Sequence, residues 1–151
     1  MKHFAVSGVV FIEDKVLLVR HTYGMAINKL LIPGGHVKDK EMPTDAIVRE
    51  IWEETKVLTQ AESIISVQFK PEQWCIIFKM SYLSGMPEPD HSEISEVRLL
   101  TLEEALVRDD ITQTTRAILE TLSLHKGNEL AAGNFCPSSA EPAGYKMFGV
   151  L

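Results

Sequence analysis

With 151 residues, the chain has room for one domain with its own core and not comfortably for two. Its 45% hydrophobic and 24% charged residues and its net charge of −6 describe an ordinary globular protein, and the acidic balance argues against broad binding to nucleic-acid polymers or anionic membranes. The two cysteines, Cys75 and Cys136, stand far apart and outside any metal-ligand spacing, which predicts reduced thiols in a cytoplasmic protein.

Residues 4–12 are rich in β-branched and aromatic side chains and read as a strand. The run is too short to span a membrane and meets Glu13-Asp14 without a small-residue cleavage site. Residues 15–20 resume as a second strand after a tight turn. A loop then runs from Arg20 to Asn28, leading into a short strand at 29–32. Arg20 and His21, at a strand end where ligands tend to bind, are candidates for contact with a substrate phosphate or base, and Tyr23 for stacking on a base. Each also has a plainer reading, as a strand end reaching solvent or a packed loop ring.

Past a Pro33-Gly34-Gly35 turn, a helix is expected from about Pro43, with Met42 as an N-cap that lacks a side-chain acceptor. At about 100° per residue, Glu50, Glu53 and Glu54 share one arc, and Ile47, Val48, Ile51 and Trp52 lie on the other. Like charges three and four residues apart cost a few tenths of a kcal/mol per pair, a cost that a cation between them removes. Carboxylate oxygens on one rigid face suit a hard divalent ion such as Mg²⁺, with Mn²⁺ as its substitute.

Further on, residues 63–70 and 74–83 read as an antiparallel hairpin about Lys70-Pro71-Glu72. The stretch 85–90, with two prolines and a glycine, is a loop, and Glu93 and Glu96 follow it ahead of a strand at 97–100. Thr101 and Glu104 have the spacing of a capping box for a short helix ending near Val107. Residues 111–124 form a second amphipathic helix, with Ile111, Thr115, Ile118, Leu119 and Leu122 inward. From Lys126 the composition turns to Gly, Ala, Ser and Pro, so the chain divides into a domain at 1–125 and an extension at 126–151. Phe135, Tyr145, Met147 and Phe148 are too apolar for a linker. The extension is expected to dock on its own domain or on a second copy in a homodimer.

The segment from Gly35 to Val57 resembles the Nudix box, the signature of the Nudix (MutT-type) hydrolases. Gly35, Glu41, Arg49, Glu50, Ile51, Glu53, Glu54 and Val57 match at the family's spacing, whereas Lys56 stands where the family has glycine. Lysine there must take a left-handed conformation or let the helix end differently. The resemblance implies an α/β fold, a mixed β-sheet in an α/β/α sandwich. It implies a metal held by the Gly35 carbonyl, Glu50, Glu53 and Glu54, with Glu41 and Arg49 paired to fix loop to helix. It further implies a general base from the 85–96 region, best placed at Glu93, with Glu96 and Glu54 as competitors. The expected activity is water attack on the diphosphate linkage of a nucleoside diphosphate derivative, a nucleoside triphosphate or an ADP-ribose-like compound, releasing a nucleoside monophosphate. A small-molecule nucleotide is thus the expected partner, with no nucleic-acid polymer and no membrane. Two other readings of the same fold are a nucleotide-binding or sensor module without catalysis, and an isomerase of an isoprenoid diphosphate.

Overall fold

A computed structural model of the chain describes residues 3–24, 26–124, 129–134, 136–138, 140–145 and 148–149. Strand β1 (His3–Ile12) turns through Glu13, at φ +59°, into β2 (Lys15–His21). The short strands β3 (Leu30–Leu31) and β4 (Gly34–His36) precede the helix α1 (Pro43–Thr55). The long strands β5 (Leu58–Phe69) and β6 (Gln73–Ser84) form an antiparallel hairpin. Strand β7 (Ile94–Thr101) leads into α2 (Leu102–Leu106) and then α3 (Gln113–Leu124). Beyond these lie β8 (Leu130–Ala132) and β9 (Phe148–Gly149).

The sheet is mixed because β1 divides its partners. Its first eight residues pair in parallel with β6, from His3↔Gln73 to Val10↔Met80. Its outer side takes β4 antiparallel, and its last two residues pair with β2, which carries β7 and β3. Alternation along the strands separates two cores. Val16, Leu18, Val9 and Ile77 pack with Ile118, Leu119 and Leu122 of α3, whereas Leu17, Val6, Val10 and Phe78 pack with Ala46, Ile47 and Ile51 of α1. Helices thus cover both faces, the expected α/β/α arrangement. Close approach of α1 depends on Gly8, where a Cβ would lie 2.8 Å from Ile51 Cδ1 and 2.9 Å from Met80 Cγ.

Several boundaries differ from the sequence reading. Strand β5 begins at Leu58 rather than 63, and β7 at Ile94 rather than 97. Gly34 and Gly35, read as a turn, form a strand through their pairing with β1. The capping box forms as expected, with the Thr101 hydroxyl accepting from the Glu104 N–H at 3.1 Å. Strand β8 pairs with β5 and β9 with β8, which brings Phe148 against Phe78 in the α1-side core. The 125/126 division, Phe135 and Met147 lie outside the described residues. Among the described residues no helix is long and apolar enough to cross a membrane.

Candidate active site

Helix α1 begins at Pro43, with Met42 in an extended conformation and no side-chain cap, and ends at Lys56 with φ +62°. The lysine takes the left-handed conformation that the glycine of the box supplies without strain. Its N–H reaches the Trp52 carbonyl at 2.9 Å, and its Nζ lies 4.2 Å over the Trp52 ring. Trp52 is therefore not a core residue. It is 49% exposed, whereas Glu54 is 4% exposed. Helical geometry accounts for this, since Glu54 falls within about 60° of both Ile47 and Ile51 at 100° per residue, and Trp52 falls on the far side.

Glu54 is the most constrained carboxylate of the three. It accepts a bond from the Gly34 N–H, and its Oε2 has no hydrogen-bond partner. Burial first, then the charges of Glu50, Glu93 and Asp90, push its carboxyl up to about 9. Glu50 lies on the open face of Gly35, where any Cβ would collide with its carboxylate, and burial raises its pKa as well. Arg49 gathers the rest of the box. Its Nε and Nη2 bind the two Glu41 oxygens at 2.8 and 2.9 Å, and its Nη1 binds Glu50 Oε1 at 2.9 Å and Glu53 Oε2 at 3.3 Å. The two-bond pair with Arg49 holds the Glu41 carboxyl at about 2. Its Nη2 also donates to the His36 carbonyl at 3.1 Å, tying β4 to the helix.

Opposite this face stand the end of β2 and the loop ahead of β7. The charge of Glu93 acts first in raising the Tyr23 hydroxyl, followed by burial and by Glu54, Glu50 and Asp90. His21 is lowered by burial, against the pull of Glu93 and Asp90, and its ring centroid is 6.0 Å from that of Tyr23. The charge of Glu93 thus reaches Glu50, Glu54, His21 and Tyr23, and Tyr23 is 55% exposed. Asp90 belongs to the same cluster and was not singled out from the sequence. The available signal was an Asp two residues before a Ser in a proline-rich loop, an Asx-turn spacing. Among the described residues, no three His, Cys, Asp or Glu side chains are gathered as a ready-made metal cage. Arg49 draws Glu50 and Glu53 toward itself instead.

Arg20 and Glu96 are placed differently from expectation. Arg20 Nε donates to Glu96 Oε2 at 2.7 Å, Nη2 to Asp110 Oδ2 at 3.0 Å, and Nη1 to the Asn28 carbonyl. The guanidinium is engaged by protein acceptors rather than free for a phosphate. Glu96 is turned to Arg20 and to Arg98, 2.9 Å away, and not to the α1 carboxylates. Its bonds to Arg20 and Arg98 lower its pKa, and the bond from Arg108 leads those that lower Asp110. A depressed carboxyl stabilises the fold above its unfolded value, and the gain is lost as pH falls. Arg20→Met is therefore expected to lower the urea midpoint at pH 7 by the equivalent of about 1 kcal/mol, in keeping with a partly exposed network. The difference should shrink as pH drops from 5 to 3. A gap that widened on acidification would contradict this account.

A concavity of about 530 Å³ on the α3 side, lined by Phe11, Leu102, Leu122 and Lys79 among others, contains none of these α1 carboxylates. A family model described as the NUDIX domain matches residues 1–122. The chain belongs to the Nudix hydrolase family. It is 34% identical over 110 residues to a Lactococcus lactis subsp. cremoris protein named probable DHNTP pyrophosphohydrolase, a match covering 66% of this chain and 64% of that one. It is 32% identical over 69 residues to an ADP-ribose pyrophosphatase of Methanocaldococcus jannaschii, covering 46% of this chain and 41% of the relative. The chain thus spans less than two thirds of the length of both curated relatives. The fold agrees with a crystal structure of a Nudix hydrolase from Nitrosomonas europaea, with a TM-score of 0.75 and 22% identity, covering 83% of this chain and 72% of that one. Within the Nudix box, Lys56 is the departure that changes backbone chemistry, and the carboxylates are untouched.

Proposed function

We propose that this Nudix protein is a divalent-metal-dependent hydrolase. It cleaves the diphosphate linkage of a nucleoside diphosphate derivative by water attack and releases a nucleoside monophosphate. The observation that carries the reading is Glu54, a buried carboxyl group with an unpartnered oxygen, whose pKa is raised by the charge of the half-buried Glu50. Burying such groups without compensation is costly, and a hard cation is the ligand that repays it. The donor set fits, since Gly35 leaves the space in which the Glu50 carboxylate sits.

In this reading the Gly35 carbonyl, Glu50, Glu53 and Glu54 would hold Mg²⁺, or Mn²⁺ in its place. When bound, the ion supplies charge neutralisation at the diphosphate and acidification of a water. The chain's own residues do the rest. Arg49 binds Glu41, Glu50 and Glu53 and so orients the carboxylates. Glu93 takes the proton of the attacking water, with Glu54 and Glu53 as the other carboxylates available for that step. His21 and Tyr23 border the site on the substrate side. Arg20 acts indirectly, by holding the 20–28 loop to Asp110 through its bonds. Cys75 and Cys136 are free thiols, which supports a cytoplasmic location.

The relatives' names support a diphosphate-containing substrate while differing in its remainder. The deciding experiment incubates the protein with DHNTP, ADP-ribose, oxidised and ordinary nucleoside triphosphates, a dinucleoside polyphosphate and a nucleotide sugar. Each is tested with Mg²⁺, with and without chelator, and nucleoside monophosphate is followed by chromatography. Chelator-sensitive cleavage of one class is expected. Binding of Mg²⁺ and nucleotide with no turnover of any would sink the hydrolase reading in favour of a sensor.

A further inference from the structure

The loop carrying Glu93 has no regular structure, yet it is tied at several points. Upstream, the Tyr82 hydroxyl donates to the Gly85 carbonyl at 2.7 Å. Gly85 itself, at φ +101°, passes so close to the Lys56 carbonyl that a side chain would not fit. The Glu88 N–H then reaches the Thr55 carbonyl at 2.9 Å, pinning the loop to the last turn of α1. Downstream, the Glu93 carbonyl accepts the Thr22 N–H at 2.9 Å and the Thr22 hydroxyl at 3.3 Å, from the end of β2.

Between these anchors the chain reverses through His91, at φ +63°, a conformation a histidine adopts at some cost. What holds the reversal is Asp90. Its Oδ1 accepts three successive backbone amides, from Ser92 at 3.0 Å, Glu93 at 3.1 Å and Ile94 at 2.8 Å, and its Oδ2 takes the Ser92 hydroxyl at 3.5 Å. The His91 N–H closes the turn on the Ile94 carbonyl at 3.1 Å. A charged acceptor makes each amide bond stronger than a neutral one.

We propose that Asp90 is a positioning residue for Glu93: by collecting the amides of residues 92–94 on one oxygen, it fixes the backbone that carries Glu93 in a loop already pinned to the last turn of α1. The inference rests on the reading of Glu93 as the group that takes the water's proton. Placement of that kind is worth much in rate, because a misplacement on the scale of 1 Å costs about 100-fold. Of the amides released by loss of Asp90, those of Ser92 and Glu93 lie in an exposed loop and turn to water, whereas that of the buried Ile94 opens β7, so part of the penalty falls on folding and a melting curve accompanies the kinetics.

The test compares wild type with Asp90→Ala, Asp90→Asn, Glu93→Gln and the double variant Asp90→Ala/Glu93→Gln. ADP-ribose and dATP serve as probes with Mg²⁺, and kcat and KM are measured separately. Asp90→Ala is expected to lower kcat by about 10- to 100-fold with KM changed by less than about threefold. Asp90→Asn keeps an oxygen in place and should recover most of the loss. The double variant should be no slower than Glu93→Gln alone, since Asp90 acts through a group already removed. Amide exchange at Ser92, Glu93 and Ile94 should accelerate in Asp90→Ala and stay slow in Glu93→Gln. Wild-type kcat in Asp90→Ala, or losses that multiply in the double variant, would overturn the positioning role while leaving the hydrolase reading intact. Wild-type kcat in Glu93→Gln, or no turnover of either probe by the wild type, would instead overturn the reading beneath it, and the inference with it.

Discussion

Glu53→Gln is expected to lose turnover by about 100- to 1,000-fold, equivalent to roughly 2.7–4 kcal/mol of transition-state stabilisation. The substitution keeps size and shape and removes one charge. Its side chain is 48% exposed and contacts Arg49 Nη1 at 3.3 Å, so its contribution to folding is small, within about 0.5 kcal/mol. A large fall in kcat with an unchanged melting curve would place its role in the chemistry. Full activity in this variant would refute the metal assignment on α1.

Glu54→Gln should show the opposite balance between folding and function. The carboxylate is buried against Glu50 and under the charges of Glu93 and Asp90, with Oε2 unsatisfied. With its carboxyl pushed up to about 9, Glu54 takes up a proton on folding at neutral pH, a cost the amide avoids, so in metal-free buffer the melting temperature is expected to rise by several degrees, about 2–4 °C for each kcal/mol in a chain of this size. Wild type should gain at least as much on adding Mg²⁺, because a ligand at 100 times its Kd contributes about 2.7 kcal/mol. The variant should gain little from Mg²⁺ and lose turnover. Calorimetry with chelator and with Mg²⁺ decides the matter. A Glu54→Gln protein that melts lower than wild type in chelator would mean that the buried carboxylate supports the fold. Such an exchange of stability for function is the usual signature of a working site.

Much of this site could be read from spacing alone. The start of α1 at Pro43 and the capping box at Thr101 follow from local chemistry, the shared arc of Glu50, Glu53 and Glu54 from helical spacing, and the other box residues from the resemblance to the Nudix box. What escaped was decided by contacts distant in sequence. Gly34 and Gly35 have no strand preference of their own and become a strand because Val6 and Ser7 of β1 lie alongside. The first residues of β5 lack a period of two because the pairing shifts register at Leu58/Thr59, Ala61/Ser63 and Ile64/Ser66. Trp52, assigned to the arc of Ile47, Val48 and Ile51, lies about 140° from Ile47 at 100° per residue and is half-exposed under Lys56. Arg20 is legible only as a residue at a strand end, because its partners Glu96, in β7, and Asp110, in the loop before α3, lie 76 and 90 residues away. Asp90 was passed over because its work is done on backbone amides, which leave no mark in the pattern of side chains.

The division of β1 between two sets of partners also has a consequence for how the molecule is made. The parallel partner of His3 is Gln73, so during synthesis one edge of β1 stays unpaired, the other taking β4 and β2, until the hairpin near residue 73 has been made. At about 5–20 residues per second, that interval is on the order of several seconds. During it a strand bearing Val6, Val9 and Val10, all fully buried in the finished fold, keeps one edge open. Non-local pairing of this kind slows folding and lengthens the period open to aggregation. Chaperone dependence of the yield should therefore respond to the speed of translation through residues 13–80 more than to any change in the last third of the chain.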